Sequence, residues 1–88
     1  MSKITIEISY DLNRADLSKK LVEVIKPEIS SASEKFSRSS IQIKSLNNKF
    51  ISEITATDYT AAKASFNSLM SWINTTLEIF NTYSKKED

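Results

Sequence analysis

Residues 39–56, SSIQIKSLNNKFISEITA, read as a β-hairpin whose register the side chains themselves fix. Ile41 and Ile43 alternate with Ser40, Gln42 and Lys44, the period of a strand with one buried face. Asn47-Asn48 suits a two-residue type I′ turn, since Asn tolerates positive φ better than any residue but Gly. Setting Leu46 opposite Lys49 places Ile43 against Ser52, Ile41 against Ile54 and Ser39 against Ala56 on the inner face. Lys44 then meets Ile51, and Gln42 meets Glu53, on the outer face. This register gathers the isoleucines on one side; a slip of one residue would send them to the other.

Beyond the hairpin, Asp58 to Tyr83 reads as one unbroken helix. Asp58 can cap its start, because a carboxylate accepts hydrogen bonds from the free N–H groups of the first turn. Ala62, Phe66, Leu69, Ile73, Thr76, Phe80 and Tyr83 follow in alternating four- and three-residue steps, which stack them along one face. Tyr59, Met70 and Leu77 flank that row on one side, and Trp72 and Ile79 on the other. The opposite face, Ala64, Asn67, Ser68, Ser71, Asn74, Thr75, Asn81 and Thr82, carries no charge. Ser, Thr and Asn compete for the backbone's hydrogen bonds, so such a helix depends on packing against something else. Its wide apolar arc and uncharged back read as an assembly surface.

Before the hairpin, Ile4, Ile6, Ile8 and Tyr10 alternate with Lys3, Thr5, Glu7 and Ser9, a half-buried strand. A first helix is expected to start at Asn13 as cap, with Asp16 in its first turn and Leu12 and Leu17 placed as a hydrophobic staple. Leu17, Leu21, Val24 and Ile25 line its inner face. Pro27 should end it near Ile25, since the residue before a proline disfavours helix. Ser30, Ser31, Ser33 and Ser37 then read as a surface loop.

The order strand, helix, strand, strand, helix makes an α+β fold. The right-handed crossover rule sets the second strand parallel to the first, with the third antiparallel between them. The result is a split β-α-β arrangement lacking its fourth strand: a three-stranded sheet, two helices on one face, and two open edges. Open edges invite pairing with another chain. The first strand suits pairing with itself, for a twofold through Thr5 sets Lys3 of one copy opposite Glu7 of the other. The second strand's edge is the alternative.

Composition bounds the chemistry. The chain of 88 residues has a net charge of +1, no His, no Cys and no Gly. Without His and Cys the commonest general base, metal ligand and activated nucleophile are missing. Without Gly there is no phosphate-cradling loop or nucleophile elbow. The carboxylates are scattered over surface-type positions, and no enzyme activity, cofactor or metal is expected. No signal peptide and no apolar run near the ~20 residues of a membrane span is present. An intracellular, cytoplasmic protein fits these features. At this size the core is thin, and association is a common remedy.

The run Ala56-Thr57-Asp58-Tyr59-Thr60-Ala61-Ala62-Lys63-Ala64-Ser65-Phe66-Asn67-Ser68, followed by Trp72-Ile73, resembles the C-terminal signature of the small Pcc-type (LAGE/CTAG) subunit of the KEOPS complex. Pro27-Glu28 and Arg38-Ser39-Ser40 fall where that family has similar residues, and the resemblance runs from Ile4 to about Phe80. Family members usually carry Arg where Lys63 stands, and often Gly in the hairpin where Asn47-Asn48 stands. The first difference keeps the charge but loses bidentate geometry.

The resemblance implies one Pcc-like domain over residues 1–84, with 85–88 a charged tail. It implies a non-catalytic, dimerising subunit of the machinery that places a threonylcarbamoyl group on the adenosine next to the tRNA anticodon. Its helices would bundle with those of the threonylcarbamoyl-transferase subunit. Ala15, Val22, Met70, Leu77, Asn67 and Asn74 are the expected transferase contacts, and Lys3, Thr5 and Glu7 the dimer contact. Arg38, Lys44 and Lys63 are candidates for auxiliary contact with tRNA phosphates. Two other readings stand beside this one. The chain could be an accessory paralogue that pairs with and caps the main Pcc-type subunit, or a stand-alone RNA-binding domain. The last lacks its main tool, because the outer sheet positions Thr5, Glu7, Gln42, Lys44, Ile51, Glu53 and Thr55 include no aromatic to stack on bases.

Overall fold

The computed structural model describes residues 3–32 and 37–86, the last five by backbone alone. Its elements are β1 (Ile4–Asp11), α1 (Ala15–Ala32), β2 (Ser39–Leu46), β3 (Lys49–Ala56) and α2 (Tyr59–Lys86). The sheet order is β1-β3-β2, with β3 antiparallel to both neighbours. The hairpin register is the expected one, with Leu46 opposite Lys49, Ile43 opposite Ser52 and Ile41 opposite Ile54. On the other side of β3, Ile6 lies opposite Ile54 and Tyr10 opposite Phe50. This confirms the α+β class, with β1 and β2 as the two edges.

Both helices pack on the inner sheet face. Leu21 and Ile25 of α1, Phe50 and Ile54 of β3, and Leu69 and Ile73 of α2 are fully buried and form the core. Burying each such side chain is worth about 1.5–3 kcal/mol, so six of them make a small reserve. Small residues let α2 approach the sheet closely: Ala56, Ala61 and Ala62 are buried together, and the hydroxyls of Ser39 and Ser65 hydrogen-bond to each other. The Ser52 hydroxyl donates to the Ile8 carbonyl, and Thr76 to that of Trp72. No buried side-chain polar atom among the described residues lacks a partner.

The start of α1 differs from expectation. Asn13 is not its cap; it sits at φ 61°, and its N–H donates to the Asp11 carboxylate at 2.9 Å. The short Asp side chain mimics a backbone turn and wins Asn13 away from capping. The same carboxylate accepts from the Asn48 amide at 3.0 Å, and the Leu12 N–H donates to the Asn48 carbonyl, tying this turn to the hairpin. The buried Ser18 hydroxyl lies 2.8 Å from the Asn47 carbonyl and 3.0 Å from that of Ala15, a second tie. Arg14 donates to Asp16 at 3.1 and 2.6 Å, and this hydrogen bond holds the exposed Asp16 carboxyl below its ordinary pKa.

Pro27 does not end α1. The helix runs on to Ala32, so Ser30 and Ser31 are helical, Ser37 lies in an exposed turn, and Ser33 is outside the described residues. Ile29, four residues after Ile25, packs on the core and repeats its buried face. That packing outweighs the backbone bond lost at Pro27, whose ring sits on the exposed side. In the hairpin turn only Asn47 has positive φ, 56°, which rules out the expected type I′ geometry requiring it at both positions.

The α2 cap is as expected. Asp58 Oδ1 accepts the Ala61 N–H at 2.8 Å, while its Oδ2 takes the Arg38 guanidinium at 2.8 Å. The helix extends to Lys86, into the stretch read as a charged tail, and Glu87 and Asp88 lie outside the described residues. At 28 residues it is about 42 Å long, against about 27 Å for an eight-residue strand. It therefore overhangs the sheet, and the molecule measures 52 × 22 × 17 Å.

Two stability predictions follow from these contacts. Asp58→Ala should cost about 1–2 kcal/mol in urea unfolding, whereas Asp58→Asn should keep most of that, because the cap outweighs an exposed ion pair. Equal losses would assign the effect to Arg38. Pro27→Ala should raise the urea midpoint by restoring a helical hydrogen bond; a lowered midpoint would mean that the proline shapes the helix for Ile29.

Candidate functional site

Among the described residues, no group of three or more His, Cys, Asp or Glu comes together to hold a metal, and no helix is long and apolar enough to cross a membrane. What the fold does present is unfilled contact surface, in three places.

The first is the β1 edge. Among the described residues β1 pairs only with β3, so the backbone groups along its other side have no strand partner there. Lys3, Thr5 and Glu7 are exposed here, alternating with half-buried Ile4 and Ile6. Glu7 lies directly opposite Glu53 of β3, a like-charge cross-strand pair that costs a few tenths of a kcal/mol.

Beside that edge runs an apolar groove of about 270 Å³, floored by Ile4 and Ile6 of β1 and walled by Tyr59, Ala62, Lys63 and Phe66 of α2. Tyr59 is 71% exposed. In the sequence Tyr59 stands beside the apolar row with no role of its own. Its spacing to Ala62, Lys63 and Phe66 is the i, i+3, i+4, i+7 signature of one helical ridge. What could not be read was that this ridge stands over β1.

The third surface is the helix layer. Asn67, Met70, Asn74 and Leu77 form one continuous ridge on α2, by the same spacing rule. Met70 and Leu77 are half-buried and pack on the chain's own core, while Asn67 and Asn74 are exposed. The Tyr10 hydroxyl donates to Met70 Sδ at 3.6 Å, which places this ridge on the β1 side of α2. Val22 packs on the core from α1, and Ala15 is exposed at that helix's first residue. On the other flank of α2, Trp72 is half-buried and Ile79 is 59% exposed.

The three basic candidates do not form one patch. Arg38 is held by Asp58 beside the start of α2. Lys63 lines the groove at β1. Lys44 lies on the outer sheet face, in a shallow depression with Glu7, Gln42, Ile51 and Glu53.

No curated protein matches the chain significantly. A sequence model of the family described as transcription factor Pcc1 matches residues 3–81, which take in the whole sheet, all of α1 and most of α2. The chain belongs to the Pcc1 family.

Proposed function

We propose that the chain is a non-catalytic dimerisation and assembly subunit of a KEOPS-type complex. It binds the threonylcarbamoyl-transferase subunit and supports threonylcarbamoyl modification of the adenosine next to the tRNA anticodon, in the cytoplasm. The observation that carries this reading is membership of the Pcc1 family, a KEOPS-associated family, over nearly the full chain. Two physical features support it. The sheet leaves an open edge fitted to a second copy through Lys3, Thr5 and Glu7. The helix layer leaves part of Met70, Leu77 and Val22 in solvent beside uncharged Asn67, Asn74 and Ala15, where partner helices dock. Arg38, Lys44 and Lys63 lie on separate surfaces, which supports no more than single, auxiliary phosphate contacts with tRNA.

Dimerisation is tested by sedimentation. The chain is expected at twice its 10.0 kDa mass at micromolar concentration, and Thr5→Pro, which removes an edge donor, should reduce it to monomer. A wild-type monomer would end this part of the reading. A Thr5→Pro variant that remains dimeric would move the contact to β2 or the helices.

Transferase binding is tested by pull-down. Val22→Glu with Met70→Glu should abolish capture, because an unpaired charge buried in a helical bundle costs several kcal/mol. Since both residues also touch the core, Asn67→Glu with Asn74→Glu reads the same ridge from exposed positions. That second variant should keep the wild-type circular dichroism and lose the transferase. Normal capture by a folded Asn67→Glu/Asn74→Glu protein would shift the contact to the Trp72–Ile79 flank. Capture of a Pcc-type paralogue without any transferase would favour the accessory, capping role.

A further inference from the structure

We infer that the β2 edge is a separate, weaker contact between copies of this chain, in which β2 joins β2 antiparallel about a twofold through Gln42. Among the described residues β2 pairs only with β3. Each of its eight residues faces one residue of β3 without a bulge, and it contains no proline. Natural sheet edges are blunted by bulges, prolines or charges. The exposed row of β2 is Ser40, Gln42, Lys44 and Leu46, with one charge, whereas β1 exposes Lys3, Glu7 and Asp11. The β2 edge is the less guarded of the two.

Backbone and side chains together pick the occupant. Leu46 and Lys49 flank a two-residue turn and form its closing hydrogen-bonded pair, and such pairs alternate along a ladder. Gln42 and Lys44 therefore turn their N–H and C=O groups to β3, while Ile41 and Ile43 turn theirs outward. A second β2 laid antiparallel about Gln42 sets Ile41 of each copy opposite Ile43 of the other, and these residues exchange both backbone hydrogen bonds. Their side chains, half-buried against the core, lose their remaining exposure in the same step. On the outer face the two Gln42 side chains meet on the twofold as a close, non-hydrogen-bonded pair. Lys44, the one charge in the row, lies opposite Ser40 and diagonal to the other copy's Gln42, whose amide oxygen can accept from it. A twofold through Lys44 would set like charges face to face, and one through Ile43 would oppose Ile41 to Ser45. About Gln42 the apolar groups meet and the charges do not.

A contact made by one strand edge falls at the low end of interface size, below about 1,200 Å², so it forms at high concentration. It goes beyond the β1 dimer and does not depend on it. Twofolds on opposite edges of one sheet do not close on themselves, so a chain using both builds an open row.

The test uses the full chain, which has no cysteine of its own. In sedimentation the particle mass should double between about 1 and about 100 μM. That step runs from dimer to tetramer if β1 pairs and from monomer to dimer if it does not, so the two contacts are read separately. Ser40→Glu sets an acid opposite Lys44 in both halves of the contact and should tighten the step about threefold; Ser40→Lys should weaken it about threefold. Both effects should shrink in about 1 M salt, and at this exposed position both variants should keep the wild-type circular dichroism. Gln42→Cys should crosslink two chains through a disulfide when oxidised glutathione is added, because paired Cα atoms at such a site lie about 4.5 Å apart. Ser40→Cys, away from the twofold, should not. A mass that stays constant over this range would overturn the inference. So would a step indifferent to both Ser40 charges, or equal crosslinking by Gln42→Cys and Ser40→Cys.

Discussion

The structure depends on β3. It is the strand with neighbours on both edges, and its inner residues Phe50, Ser52, Ile54 and Ala56 are all buried. Large and small side chains alternate along the strand. Phe50 fills the space at the hairpin end, and Ala56 lets the start of α2 come close at the other. In a chain without glycine, close contact between helix and sheet has to come from alanine and serine. The buried serines meet their hydrogen-bonding needs within the same contacts, through the Ser39–Ser65 pair and the Ser52 bond to β1. Shift β3 by one residue and each of these contacts is lost together, because the pleat turns every side chain to the other face.

Much of this was legible in the sequence because strand period, hairpin register and helix cap are local or pairwise signals. The isoleucines at 41, 43 and 54 admit one good register, and Asp58 is followed at once by a helical apolar row. The misreadings arose where a distant contact outbid a local preference. Pro27 is a sound stop signal taken alone, but Ile29 has core to reach, and the helix continues. Asn13 is a good cap in isolation, but Asp11 captures it for a turn that also holds Asn48. The groove could not be read either, since Tyr59 and Ile4 are 55 residues apart and only the topology brings α2 over β1.

Function is legible to a different degree. The lack of His, Cys and Gly narrows the chemistry by composition alone, and the family match narrows it further. Which residues meet a partner is harder, because in so thin a core the same side chain serves both purposes. Met70 contacts Tyr10 and still keeps surface in solvent. Val22 is in the same position on α1. A helix ridge of this kind is neither pure core nor pure interface, and its sequence pattern is the same in either case.

The placement of β1 also governs how the chain folds. Ile4 pairs with Ala56, so the pairing of β1 is completed by the last residue of β3. The β2–β3 hairpin closes locally and quickly, whereas β1 must wait for a long loop containing α1 to close. During synthesis β1 leaves the ribosome before β3 and stays unpaired on both sides until β3 has followed. Its exposed row of Lys3, Thr5, Glu7, Ser9 and Asp11 carries three charges in that interval, the means by which natural strands discourage premature pairing with strangers. The open edge of the finished sheet is thus guarded, while it waits, by the same side chains.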